Sequence, residues 1–199
     1  MTNQQSPQFH FKELPQVACM AVTEKIPDRI RARLFPAIKE HGWPLYLHGQ
    51  TGTGKTCIAA LVYQRYIGNA VWFSCRSLLR ELAAWRADLT HQIPWLMPSG
   101  LTLSRPATNA WDALTNPDWL VCLDDLGTRE LSPAQSEILL DLLDARIGKP
   151  LIVTGNHDRD GLKFLDPRIV SRVFAGTVIG LVGKDQRKPT SQLEASANG

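Results

Sequence analysis

The sequence predicts an α/β fold, a three-layer parallel sheet with helices on both faces. Three observations predict it. Short apolar runs of strand length recur at residues 45–49, 70–75, 119–123, 151–156 and 177–183. Segments with helical spacing and helix-end signals lie between most of them. The first strand-to-helix junction reads Gly49-Gln50-Thr51-Gly52-Thr53-Gly54-Lys55-Thr56, a match to G-x-x-x-x-G-K-[ST].

Taken in order, residues 1–8 are polar and read as a frayed end. A short leader follows to residue 42, with a helix after Pro27 that Pro36 is expected to interrupt or kink. Residues 45–49 read as a buried strand. Residues 54–68 read as a helix, with Ile58, Leu61, Val62 and Arg65 on neighbouring turns and Gly68 as its stop. A strand at 70–75 leads to a helix at 77–89, for which Ser77 is the expected N-cap. Residues 90–110 contain Pro94, Pro98, Gly100 and Pro106 and read as a loop or short irregular elements. A short helix and turn at 111–118 precede an apolar strand at 119–127 that ends in two carboxylates. The segment 132–148 carries full helix punctuation: Ser132 to cap, Pro133 in the first helical position, Gln135 to complete a capping box and Gly148 to terminate. A strand at 151–156, a short helix at 166–174, a last strand at 177–183 and a polar tail from Lys184 complete the chain.

Composition restricts the class. The 199 residues suffice for one ordinary domain. With 44% hydrophobic and 21% charged residues, neither a disordered nor a collagen-like chain fits. The formal net charge of +3 permits nucleic acid as a partner without arguing for it. The four cysteines form no C-x-x-C pair and no zinc-ligand spacing, which fits a reduced, cytoplasmic setting. The N-terminal residues lack a basic-then-apolar signal pattern, and no apolar run is long enough to span a bilayer.

Four motifs carry chemistry. In the first, glycines let the backbone curl so that N–H groups of residues 49–56 point inward at phosphate oxygens. The following helix adds its positive end. Lys55 is placed to reach the β- and γ-phosphates, and the Thr56 hydroxyl to ligate Mg²⁺. The expected nucleotide-binding segment therefore runs from Gly49 through Thr56 to Cys57, with ATP and Mg²⁺ as its ligands. The second motif is the strand end Asp124-Asp125. Asp124 is expected to hold Mg²⁺ beside the loop, and Asp125 to orient the attacking water. Two solvated carboxylates at a loop start are the alternative. The third is Asn156, whose amide can contact the γ-phosphate or hold the water. A turn-forming Asn competes with that reading, and Thr154 is a weaker candidate for the role. The fourth is Arg168 and Arg172, four residues apart on one helix face. Spacing alone reads them as a basic, solvated face. Trp85 and Trp95, near Arg80, Arg86 and Arg105, offer a less favoured single-stranded nucleic-acid surface; as a group the six tryptophans read as core.

With these motifs in place, the chain resembles the DnaC/IstB-like branch of the AAA+ ATPases, which contains bacterial and phage helicase loaders and transposition helper ATPases. The resemblance runs over residues 44–187. Its pieces are LHGQTGTGKT, VWFSCRSLLREL, WLVCLDDLG, DARIGKP, LIVTGN, DPRIVSRV and GLVGKDQR. It implies a Walker A motif at residues 49–56, Walker B at Asp124 and Asp125, and sensor 1 at Asn156. It also implies an arginine finger at Arg172, with Arg168 the other arginine of that motif. Arg187 resembles the end of the family domain, with no obvious helical lid after it. The implied domain plan is a leader at 1–42 with a possible partner-binding helix, an AAA+ ATPase domain at 43–187 and a mobile tail at 188–199. The implied activity is ATP hydrolysis by a helicase loader, a homo-oligomer joined through its ATP sites. Its partners would be a replicative helicase and single-stranded DNA. An IstB-like helper acting with a transposase is the nearest alternative. A small-molecule kinase and a non-hydrolysing nucleotide switch are more distant ones.

Overall fold

The structure, a computed structural model, describes residues 26–87, 92–96, 102–106, 111–112 and 114–183. Their elements are α1 (Asp28–Lys39), β1 (Leu45–His48), α2 (Lys55–Arg65), β2 (Ala70–Ser74) and α3 (Cys75–Ala87). Then follow β3 (Gln92–Leu96), β4 (Thr102–Pro106), β5 (Leu120–Leu126), α4 (Pro133–Ala145), β6 (Leu151–Gly155), α5 (Pro167–Val173) and β7 (Thr177–Gly180). Five strands form one sheet in the order β2-β5-β6-β1-β7, and every pairing in it is parallel.

Successive side chains of each sheet strand enter two different cores, as a period of two requires. Leu45, Leu47, Trp72, Leu120, Cys122, Ile152 and Ile179 pack with Ile30 and Leu34 of α1 and with Ile58, Leu61 and Val62 of α2. Tyr46, Val71, Val121, Leu123, Leu151 and Val153 pack against α3, α4 and α5. The sheet is thus covered on both faces, the three-layer arrangement expected from the sequence.

Two staples fix the strands that matter for the site. Ser132 caps α4: its hydroxyl accepts from the Gln135 amide at 3.3 Å, while the Gln135 side chain accepts from the Ser132 amide at 3.2 Å. At the other end of α4, the fully buried Arg146 guanidinium donates to the carbonyls of Asn116 and Trp119, each at 2.5 Å, and to that of Pro150. These carbonyls lie at the entrances to β5 and β6, so one cation fixes where both strands begin.

The local expectations needed correction in four places. Pro36 does not interrupt α1, which runs through it. The proline forfeits one helical hydrogen bond, but the helix is anchored along the sheet edge. Ile30 and Leu34 are buried, and Arg29 and Arg33 donate to the carbonyls of Val182 at 3.0 Å and Val178 at 2.8 Å. Ser77 is not an N-cap, because α3 begins directly after β2 at Cys75, where burial of Cys75, Leu78, Leu79 and Leu82 sets the helix phase. Residues 92–96 and 102–106 are not irregular; they pair antiparallel as a two-stranded ribbon. Pro94 and Pro106 are admissible there because each strand of a two-stranded ribbon has an unpaired edge. The last strand ends at Gly180, short of residue 183. Arg187 and the tail lie outside the described residues, as do residues 1–25 of the leader.

Candidate functional site

Strand order sets the site. β5, β6 and β1 are neighbours, and the residues at their carboxyl ends line one edge of a parallel sheet, where ligands of such sheets bind. Gly49 follows β1 with φ 149°, and a Cβ there would strike the Leu181 carbonyl. Gly54 caps α2 in the left-handed region with φ 89°. The loop between them folds back on itself: the Thr53 hydroxyl donates to the Gln50 carbonyl at 2.8 Å. The first N–H groups of α2 are left facing the loop, where an anion is favoured. Lys55 is only 5% exposed, and its ammonium donates to the carbonyls of Gly49 at 2.8 Å and Gln50 at 2.9 Å. The loop therefore carries its cation inside its own curve.

Asp124 belongs to the same alternation as Leu120 and Cys122, which pack on the α2 side of the sheet. Its carboxylate accepts from the Thr56 hydroxyl at 3.1 Å, across 68 residues of sequence, and from the Thr154 hydroxyl at 2.5 Å. At 6% exposure, burial pushes its pKa above the ordinary carboxylate value. The Thr154 hydrogen bond opposes that shift, the nearby charge of Asp125 adds to it, and Thr56 and Lys55 oppose it. A buried carboxylate beside a threonine hydroxyl fits Mg²⁺, which keeps several waters and takes one or two carboxylates together with phosphate oxygens. It does not resemble a closed metal cage. Among the described residues no group of three or more His, Cys, Asp or Glu is placed to hold a metal. Cys57, next in the chain, is half-buried, and burial followed by the Asp124 charge raises its thiol pKa.

Asp125 lies on the other side of the strand end. Between Leu123 and Leu126 the pairing of β5 with β6 shifts register, and Asp125 takes the left-handed conformation with φ 63°. An extra residue in a strand turns everything after it to the opposite face. Leu126 accordingly packs in the α3–α4–α5 core. Asp125 is exposed and borders a narrow crevice with Cys75, Arg76, Gly127 and Arg129. Its backbone N–H donates to the Thr154 hydroxyl at 3.0 Å.

Asn156, just beyond β6, borders an open cleft with Gly49, Gln50, Thr53, His48 and Asp158. The structure thus brings residues 49–56, Asp124 and Asn156 to one edge of the sheet. His48 stacks on Tyr46 with ring centroids 5.6 Å apart. Burial lowers its pKa, Asp158 raises it and Lys55 lowers it.

The arginines are elsewhere. Arg168 is exposed and bonds to the Asp166 carboxylate, at 2.7 Å for the closest contact. Arg172 donates to Asp144 of α4 at 2.7 Å, and its side chain is 36% exposed. Neither borders the phosphate cleft. Trp85 is half-buried, packs against the core and lies 6.3 Å from the Trp111 ring, so it is not a free stacking platform. The side chains of Trp95 and Arg105 lie outside the described residues.

Sequence reasoning underrated Thr154 and gave His48 and Asp158 no role at this cleft. Half of the signal for Thr154 lay in the sequence, in the alternation along β6; the adjacency of β5 and β6 did not. Thr154 and Ile152 share a face of β6, as Asp124 and Cys122 share a face of β5, and the two strands are adjacent.

Comparison with known proteins finds relatives by structure only; no protein-family model and no curated protein matches the sequence. The crystal structure of DnaI is 21% identical, covers 84% of this chain and 94% of that one, and superposes with a TM-score of 0.61. The DnaC helicase loader is 20% identical, covers 90% of this chain and 95% of that one, with a TM-score of 0.56. DnaA from Aquifex aeolicus bound to AMPPCP is 14% identical, covers 86% of this chain and 53% of that one, with a TM-score of 0.59. The chain spans about half the length of the DnaA structures it matches. These likenesses establish the fold, a parallel α/β sheet covered by helices on both faces.

Proposed function

We propose that this chain is an ATP-dependent helicase loader whose ATP site is completed by a second copy of itself. One observation carries the nucleotide reading. Lys55 is enclosed by a glycine-rich loop at a strand-to-helix junction, and Thr56 of that junction bonds to Asp124. The loader reading is supported by the match to DnaI and DnaC over nearly the whole length of each.

In this reading the N–H groups of residues 49–56 and the start of α2 cradle the β- and γ-phosphates. Lys55 leaves the loop carbonyls to meet them. Thr56 and Asp124 hold Mg²⁺, which neutralises phosphate charge when bound. Asp125 polarises the attacking water and Asn156 orients it. Catalysis is positioning and charge stabilisation. Arg172, partly exposed and outside the cleft of its own loop, serves the γ-phosphate of a neighbouring subunit, with Arg168 as its companion. Assembly through the ATP sites organises a surface for single-stranded DNA and a replicative helicase.

Phosphate release from ATP, measured with and without single-stranded DNA, tests the enzyme. Turnover that is absent even at high protein concentration overturns the hydrolytic reading and leaves a nucleotide switch. Pull-down with a replicative helicase against a transposase, each in ATP and in ADP, tests the partner. ATP-dependent capture of the transposase alone moves the assignment to a transposition helper.

A further inference from the structure

We infer that Thr154 is a positioning residue for both acids of the site, acting through a single buried hydroxyl. The inference rests on the ATPase reading above and assigns a role that the loop motifs do not contain.

The hydroxyl has one proton to give and lone pairs to accept with. The proton goes to Asp124 at 2.5 Å, and a lone pair receives the Asp125 N–H at 3.0 Å. Thr154 is 1% exposed, so water cannot replace either bond. The second bond ties β6 to the irregular stretch of β5, where the register shifts and Asp125 adopts a positive φ. A left-handed conformation at a non-glycine residue is costly and persists only where surrounding contacts hold it. The Thr154 bond is such a contact. The first bond fixes which way the Asp124 carboxylate faces: Oδ1 accepts from Thr154 and, at 3.1 Å, from Thr56, which also reaches Oδ2 at 3.5 Å. Thr56 can ligate a metal through a lone pair while still donating to Asp124, but it must follow any movement of the phosphate loop. Thr154 need not, because it lies on β6 and not in the phosphate loop. The same hydroxyl therefore holds Asp124 in place throughout and keeps Asp125 on the opposite face of the strand end. Removing it frees both acids together while leaving Gly49, Lys55 and Thr56 untouched.

Two variants separate this role from simple packing. Thr154→Val keeps the shape and deletes the hydroxyl; Thr154→Ser keeps the hydroxyl and deletes a methyl. In nucleotide-free protein, amide exchange at Asp125 is expected to be slow in wild type and Thr154→Ser and fast in Thr154→Val. Equal protection in all three overturns the anchoring of Asp125. Binding of a fluorescent ATP analogue in EDTA is expected to be the same in all three. The gain in affinity on adding Mg²⁺, and the turnover, are expected to fall about 10–100-fold in Thr154→Val, the usual range for a partner behind a metal ligand, and to return in Thr154→Ser. A Thr154→Val protein with the wild-type Mg²⁺ gain and turnover overturns the assignment. So does a loss that Thr154→Ser does not restore, since the methyl would then be what mattered. Wild type that binds nucleotide but does not hydrolyse it removes the ATPase reading while the Mg²⁺ gain still tests Thr154. Wild type that binds no nucleotide overturns both.

Discussion

The phosphate loop with Asp124 and the arginine pair on α5 are built on opposite principles. Lys55, Asp124 and Thr154 are nearly or fully buried, and their side chains bond to partners within the chain. Arg168 is exposed and Arg172 partly so, each in a surface ion pair. Exposed pairs of that kind contribute little to stability, so they break readily when a better anion arrives. A site that must hold its geometry before its ligand arrives is enclosed, whereas a residue meant for another molecule is left outside and weakly held. This contrast is what makes the site read as half of a composite one.

Breaking the contrast gives the largest expected effect. Arg172→Ala should leave nucleotide binding intact and lower hydrolysis in the assembled state by about 10³-fold, the lower end for a trans-acting arginine. Undiminished turnover would move the finger to Arg168 first. Mixing Arg172→Ala with Lys55→Ala should then restore part of the activity, because one protein keeps the loop and the other keeps the arginine. A mixture as inactive as its parts argues that the site is not shared.

Next in size is Lys55→Ala alone. Losing charge-assisted contacts to the phosphates should weaken ATP about 100-fold, as read by titration of a fluorescent analogue. Unchanged affinity would sink the nucleotide assignment.

Asp124→Asn sharpens the enclosed half. The Mg²⁺ gain in nucleotide affinity should fall about 10–100-fold, while the empty protein should melt no lower at neutral pH. The sign follows from burial, which raises the folded-state pKa above its unfolded value. Between those two values the folded state binds more protons, so this group's contribution to stability declines as pH rises through that window. Asn removes the cost of the buried charge and should flatten that part of the pH–stability curve. A marked drop in melting temperature at pH 7 would show that the charge supports the fold. The smallest effect expected is Arg168→Ala, whose melting temperature should match wild type within the worth of an exposed pair.

Much of this was legible in the chain itself. The loop of residues 49–56 was, because the requirements are local: glycine where φ is positive or a Cβ would collide, then Lys and Thr at a helix start. The α4 cap was, for the same reason. Asp124 was legible once the loop was known, since a carboxylate at the end of an apolar run is informative beside a phosphate site. The ribbon at residues 92–106 was not, because prolines mark breaks and say nothing about which edges pair. The unbroken α1 was not, because what carries it past Pro36 is packing against β7, far away in sequence, and hydrogen bonds to the carbonyls of Val178 and Val182. The arginines were visible, but their distance from their own loop was not.

The sequence by itself determined the fold class, the glycine-rich loop at the first strand-to-helix junction and the order of the strands along the chain, because backbone sterics and hydrophobic period act over a few residues. Only the tertiary structure decided that β6 lies between β1 and β5. That placement puts Thr154 against both Asp124 and the Asp125 N–H and leaves Arg172 outside. Strand order is fixed by which faces bury together across the whole chain, and no local stretch of sequence records it.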